Sequence, residues 1–296
     1  MSRQTSPSTQ QPYGIARVVR VWELPRSTFY AQRRRRAQPA TGRRGRTPTL
    51  DDTALLAQIR AVIAESPFQG EGHRKIWARL RTLKGVRTSM RRVLRVMRDA
   101  ELLAPARQPE LVVEHPHDGT IVTDRPNVMW GTDATAAVTL VDGSATIFAA
   151  IDHCTAECVG IHAARHGDRF EALEPLRQGV RDHFGALAPA IAQGLAIRHD
   201  HGSVYLSGDF QTEITFLGMT SSPAFVRQPE GNGCIERFFR TLKEQLLWIR
   251  HFSTIEELRQ ALLAFKTRYN QEWLIERLGY LSPAQARRDF AVQAAA

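Results

Sequence analysis

Residues 128–164 read VMWGTDATAAVTLVDGSATIFAAIDHCTAECVGIHAA. Three runs in it, 128–140, 145–151 and 158–164, are rich in apolar and β-branched residues, and Asp142-Gly143 supplies a turn between the first two. Such runs bounded by turn signals read as strands, here a three-stranded antiparallel meander. Asp133 falls midway along the first run, although strand interiors disfavour aspartate.

Beyond the meander the period changes. Phe170, Leu173, Leu176 and Val180 mark a helix over 169–184. Residues 194–197 form a fourth strand leading into Arg198-His199-Asp200, 210–217 a short helix, and 220–226 a fifth strand. A long helix follows at 233–249, and Ser253-x-x-Glu256 is a capping box opening a last helix with Ile255, Leu258, Leu262, Phe265 and Tyr269 on one side. Three antiparallel strands followed by alternating helices and strands predict a mixed α/β sheet.

Upstream, residues 51–105 read as three helices, with Gly85 ending the second and Ser89 capping the third. The third turns Val93, Leu94 and Met97 inward and carries Arg91, Arg92, Arg95 and Arg98 on its other surface. This suits a helix-turn-helix with a basic helix against DNA, ahead of the alternative, a solvated basic face on a helical bundle. Residues 13–35 read as two shorter helices broken at Glu23-Leu24-Pro25, after a polar lead at 1–12 that reads as disordered and before a flexible basic linker at 33–49.

Charge follows this division. Residues 1–50 carry a net +10, 51–110 a net +5 and 111–296 a net −5, within a chain of 296 residues. A basic front half joined to an acidic back half suggests a nucleic-acid grip attached to something else. No apolar run approaches the roughly 20 residues of a membrane span, and the polar start lacks a secretory signal segment. Three cysteines, Cys154, Cys158 and Cys234, make a disulfide framework improbable.

Three acids hold distinctive places: Asp133 on the first strand, Asp200 after the fourth, and Glu236 early on the long helix, with 35 residues between the last two. Carboxylates from separate elements can hold hard divalent cations and leave coordination positions open to a phosphate. Read one at a time, each is equally an ordinary surface acid. Glu236, Arg240 and Lys243 share a helix face, either to grip phosphate beside such ions or as a plain Glu–Arg pair. Cys154, Cys158 and His162, with His153 nearby, lack the paired spacing of a zinc site.

Taken together, three stretches resemble one family: Val128-Met129-Trp130-Gly131-Thr132-Asp133, Arg198-His199-Asp200-His201-Gly202-Ser203-Val204-Tyr205, and Gly231-Asn232-Gly233-Cys234-Ile235-Glu236-Arg237-Phe238-Phe239-Arg240-Thr241-Leu242-Lys243. It is the second-reading-frame transposases of bacterial two-frame insertion sequences, in the retroviral-integrase superfamily. Ile151-Asp152 resembles its second strand, His73-Arg74-Lys75-Ile76 its upstream helical domain, and Tyr269-Asn270 with Leu278-Gly279-Tyr280-Leu281-Ser282-Pro283 its ending. Trp273-Leu274-Ile275-Glu276-Arg277 departs from the family's usual run there, and His201 stands where an asparagine is frequent.

The resemblance implies an RNase H-like core over 120–290 with a mixed five-stranded sheet flanked by helices, behind a helical DNA-binding domain at 51–108 and a basic arm with a short helix-turn-helix-like segment at 1–50. It implies that Asp133, Asp200 and Glu236 are the catalytic and metal-binding triad for two Mg²⁺ ions, with Mn²⁺ as a substitute. The activity implied is metal-dependent DNA cleavage and strand transfer at insertion-sequence ends. Implied partners are DNA, an upstream-frame product or frameshift fusion, and further copies of the chain on DNA, in the bacterial cytoplasm at the nucleoid. Other functions compatible with the sequence are a degenerate transposase acting as a DNA-binding repressor or architectural factor, and an RNase H-type nuclease.

Overall fold

The computed structural model describes residues 4–37, 50–104, 121–224 and 232–295. Outside them lie most of the expected basic linker (38–49), residues 105–120, the expected end of the fifth strand at Phe225-Val226, and Gly231 of the third motif. The chain divides into two compact units, Met1–Asp51 and Asp52–Ala296.

In the first unit, α1 (Gly14–Val21) and α2 (Arg26–Ala37) flank the expected break, where Glu23 takes a φ of 52° ahead of Pro25. The lead expected to be disordered instead closes a turn from residue 4. The Ser6 amide donates to the Gln11 carbonyl at 2.9 Å and the Tyr13 amide to the Gln4 carbonyl at 3.0 Å. Pro7 and Pro12 fix φ at its two ends, which lowers the entropy lost on ordering a polar segment.

The second unit opens with α3 (Asp52–Glu65), α4 (His73–Leu83) and α5 (Met90–Asp99). Leu55, Ile59, Ile76, Leu80, Val93 and Met97 are buried, and each large side chain so covered contributes about 1.5–3 kcal/mol. Gly85, at φ 64°, closes α4 as expected, with the Val86 amide donating back to the Leu80 carbonyl at 2.9 Å. Ser89 caps α5, its hydroxyl accepting from the Arg92 amide at 3.2 Å.

The sheet has the order β3-β2-β1-β4-β5, with β1 (Met129–Thr139), β2 (Gly143–Asp152), β3 (Cys158–Ala164), β4 (Ala196–His199) and β5 (Thr220–Pro223). The first three strands pair antiparallel; β4 joins β1 and β5 joins β4 in parallel. With α6 (Arg169–Phe184), α7 (Gly208–Phe216), α8 (Gly233–Leu242) and α9 (Ile255–Glu272), this is the expected RNase H-like mixed sheet flanked by helices.

Strand alternation distributes the core. Ile147, Ala149 and Ile151 of β2 pack with Phe238, Leu262 and Phe265 of α8 and α9. Phe148 and Ala150 face the other way, with Trp130, Leu173, Leu176 and Phe210. Helix α6 crosses β3 so closely that a Cβ on Gly160 would stand 1.9 Å from the Pro175 carbonyl oxygen. The outer edge of β3 is occupied by side chains. Lys266 donates to the Val159 carbonyl at 2.8 Å, Arg259 to the Ala163 carbonyl at 2.6 Å, and the Ile161 amide donates to Gln178 at 3.1 Å.

The three upstream helices pack on this core. Phe68 meets the Trp273 ring edge-on at 4.8 Å, and Arg74 pairs with Glu276 at 2.7 Å. Arg79 joins Glu71 at 2.6 Å and donates to the Glu272 carbonyl at 3.1 Å. Gln245 clasps Gln69 by two bonds of 2.9 Å, one to its amide and one to its carbonyl.

Three elements differ from the sequence reading. The long helix expected over 233–249 is α8 followed by a π-helical turn, Lys243–Leu247. The last expected helix is capped one residue later than Ser253, by Thr254, whose hydroxyl accepts from the Glu257 amide at 3.2 Å. A further helix, α10 (Pro283–Ala295), follows, opened by a reciprocal pair in which Ser282 Oγ accepts from the Gln285 amide and Gln285 Oε1 accepts from the Ser282 amide.

Candidate active site

The parallel pairing of β1 and β4 matches Gly131 with Arg198. Asp133 stands two residues beyond Gly131, and Asp200 two residues beyond Arg198, so both acids follow the paired stretch in the same direction. Asp133 lies inside β1; Asp200 follows directly on the end of β4, where the backbone leaves the sheet. The third acid arrives from the other direction. Asn232, at the head of α8, donates from Nδ2 to the Thr132 carbonyl at 3.4 Å, and Glu236 stands one turn further on.

Burial, joined by the negative charges of Asp200 and Glu236, pushes the Asp133 carboxyl up to about 6. The Ala134 amide, donating to Asp133 Oδ1 at 2.8 Å, and the Lys243 ammonium act against this. The three acids and Lys243 therefore share one electrostatic field. Asp200, exposed, accepts from the Gly202 amide at 2.8 Å, an Asx turn that orients its carboxylate. Glu236 and Arg240 are exposed on α8, and Lys243, half-buried, begins the π-turn.

Among the described residues no group of three His, Cys, Asp or Glu side chains is gathered tightly enough to hold a metal ion. The acids are in range of one another's charge without converging on a single point. Carboxylates with no cation between them repel, and Asp133 and Asp200 each turn an oxygen to a backbone amide instead. Their chemistry nonetheless fits a hard divalent ion: all three are carboxylate oxygen donors.

Aromatic packing supports the floor of the site. Tyr205 stacks on His199 at 5.4 Å and meets Phe210 edge-on at 5.3 Å. The charges of Asp133 and Asp200 both reach its buried hydroxyl and, with burial, hold it neutral. His199 is held between the Asp200 carbonyl at 2.6 Å and Ser221 Oγ at 2.8 Å. His201 donates from Nε2 to the Ala224 carbonyl at 2.6 Å, tying the loop after β4 to the residue that follows β5. Tyr205 and Asn232 stood inside the motifs already quoted; neither had a pattern that assigned it a role.

On α5, Arg91 and Arg98 are exposed. Arg92 and Arg95 reach back to Asp52 at 2.8 and 2.6 Å, so their guanidinium groups tie α5 to α3. All three cysteines are buried free thiols, with Cys158 pushed up to about 12 and Cys154 to about 11 by burial. His162 bonds Glu171 at 2.6 Å.

Two family descriptions match the chain: "Integrase core domain" over residues 217–283 and "HTH-like domain" over residues 49–110. The first match takes in β5, α8 and α9, and the second α3, α4 and α5. The matched part of the integrase core contains Glu236, Arg240 and Lys243. The chain is homologous to Transposase InsD for insertion element IS2D of Escherichia coli (strain K12), 28% identical over 94% of this chain and 92% of that one. It is 27% identical to an insertion element IS2A 48.2 kDa protein of Escherichia coli over 96% of its own length, and spans 66% of that longer protein. A simian T-cell lymphotropic virus intasome structure aligns over 78% of this chain and 74% of that one, at 16% identity and a TM-score of 0.47. No helix among the described residues is long and apolar enough to cross a membrane.

Proposed function

We propose that the chain is a DNA transposase that cuts and joins strands at the ends of an insertion element by metal-dependent phosphoryl transfer. The observation that carries this reading is the shared field of Asp133, Asp200, Glu236 and Lys243 at the meeting of β1, β4 and α8. Asp133, Asp200 and Glu236 would hold two Mg²⁺ ions, with Mn²⁺ as a substitute. Bound there, the ions would activate an attacking oxygen and offset charge on the leaving one. Arg240, on the face of α8 that bears Glu236, and Lys243, at the start of the π-turn that continues it, would hold the phosphate that lies against the acids. The exposed Arg91 and Arg98 of α5 would grip the DNA backbone, and Arg92 and Arg95 would do so after exchanging Asp52 for phosphate.

The homology to IS2 transposases supports DNA as the partner. Two element ends must be held together, which calls for more than one copy of the chain, and an upstream-frame product or frameshift fusion would supply end recognition. The place of action is then the bacterial cytoplasm, at the nucleoid. A second reading, a DNA-binding repressor without catalysis, draws on the acids' lack of a common metal-binding point.

One assay separates the two. The chain is incubated with DNA bearing the ends of its own element, with Mg²⁺ and without. Cleavage that needs the metal, and that Asp133→Asn, Asp200→Asn or Glu236→Gln reduces at least a thousandfold with DNA affinity kept, supports the transposase. Metal-independent binding with no cleavage supports the repressor.

A further inference from the structure

His153, at the end of β2, and Asn232, at the head of α8, are 0% and 6% exposed. Their side chains meet over the same backbone atom. A Cβ built on Gly131 would stand 2.6 Å from His153 Nε2 and 3.0 Å from Asn232 Oδ1. Neither atom has a hydrogen-bond partner among the described residues.

Their chemical roles follow from what the rest of each side chain does. His153 Nδ1 faces the Ile121 carbonyl at 2.9 Å, so Nδ1 carries the proton and Nε2 presents a lone pair. Asn232 Nδ2 donates to the Thr132 carbonyl, so Oδ1 presents lone pairs as well. Burial lowers the proton affinity of the His153 ring, which keeps Nε2 an acceptor. Two buried acceptors aimed at one space cannot bond each other, and leaving both unpaired would cost about 1–3 kcal/mol each. What completes them must bring two donors. Among the described residues no group of three His, Cys, Asp or Glu side chains is placed to make this a metal site.

We propose that His153 and Asn232 hold one buried water molecule over Gly131, and that this joint positions the head of α8 against β1. The water donates one hydrogen to Nε2 and the other to Oδ1, a polar cage of the kind that retains interior water. Gly131 lacks a side chain because the two rims of the cage occupy its Cβ space. The joint lies two residues from Asp133 and four from Glu236, so it sets how α8 presents Glu236 to the strand. This last step rests on the transposase reading; the water and the anchoring of α8 do not. His153 and Asn232 are positioning residues, acting through α8.

A crystal structure of the full chain at about 1.5 Å tests the water directly. The expected result is a density peak about 2.8–3.0 Å from both Nε2 and Oδ1. Direct contact between the two side chains, an empty space, or a peak near 2.1 Å with metal scattering overturns the proposal. Hydrogen exchange tests the anchoring. The amides of α8 should exchange at least tenfold faster in His153→Leu than in the wild type. They should return to within threefold in His153→Gln, whose amide reaches the same space and can bond. Equal exchange in all three overturns the anchoring, as does equal acceleration in both variants. Cleavage then separates this failure from that of the function. If the wild type cuts DNA, His153→Leu should lose at least tenfold in kcat with KM for DNA unchanged, and His153→Gln should recover most of it. If the wild type does not cut, the density and the exchange still decide the joint.

Discussion

Asn270 and Cys158 are joined by two hydrogen bonds of 2.9 Å: the Asn270 side chain accepts from the Cys158 amide and donates to the Cys158 carbonyl. Cys158 begins β3 opposite the register shift at Ala150/Ile151, where β2 leaves these groups without a regular partner. The side chain of α9 thus repairs an interruption in the sheet. Asn270→Ala leaves a buried donor and acceptor unsatisfied and is expected to cost about 3 kcal/mol, read as a lowered urea midpoint with unchanged slope. Asn270→Asp keeps the acceptor but turns oxygen toward the Cys158 carbonyl, and should lose at least as much.

Glu71 and Arg79 form a buried pair, their side chains 2% and 6% exposed. Arg79→Met leaves the buried Glu71 carboxylate with only the Ser66 hydroxyl at 2.8 Å and the Lys75 ammonium at 4.0 Å, and should destabilise by about 3 kcal/mol. The double variant Glu71→Leu/Arg79→Met removes both charges and should recover much of that loss in the same unfolding experiment. A loss in the double variant equal to the sum of the two single losses would show that the charges do not interact.

At Gly160 even one methyl group has no room, because the Pro175 carbonyl lies where it would go. Gly160→Ala must push α6 off β3 and is expected to cost about 3 kcal/mol, measured as a fall in Tm. An unchanged Tm would mean that the helix crossing is looser than the structure has it.

Burial lowers the His183 imidazole to about 4, helped by the nearby Arg287. The unfolded chain takes up this proton near pH 6.5, whereas the folded chain resists it until about pH 4. Proton uptake therefore favours unfolding across that window. Stability from this group is complete above about 6.5 and falls by up to about 3 kcal/mol as pH drops to 4. Urea midpoints between pH 7 and 4 should decline, and His183→Gln should flatten the decline.

The strands were legible because alternation and β-branched runs are local signals: 128–140 and 145–151 overlie β1 and β2. Asp133, Asp200 and Glu236 each stand at a distinctive place relative to such elements, but only the resemblance of the three stretches around them singled them out as a set. The capping box was displaced by one residue because Ser253 and Thr254 are both competent caps, and only packing chooses between them. Helix α10 had a readable sign in Ser282-x-x-Gln285, set in a sequence with few large apolar residues to give it a stripe. The π-turn at Lys243 carried no local signature. Nor could the Asp52 bonds of Arg92 and Arg95 be read ahead of the fold, since partners some forty positions apart meet only when α3 and α5 pack.

The border strand β3 has a bearing on solubility. A border strand with free peptide groups is a template on which another chain can extend the sheet. Here Lys266, Arg259 and Gln178 already occupy those groups, and two of the three bring positive charge. An incoming strand would have to displace all of them at once. The opposite border, β5, spans only Thr220–Pro223 and ends in a residue with no peptide hydrogen to offer. Both flanks of the sheet thereby disfavour edge-to-edge extension by another chain.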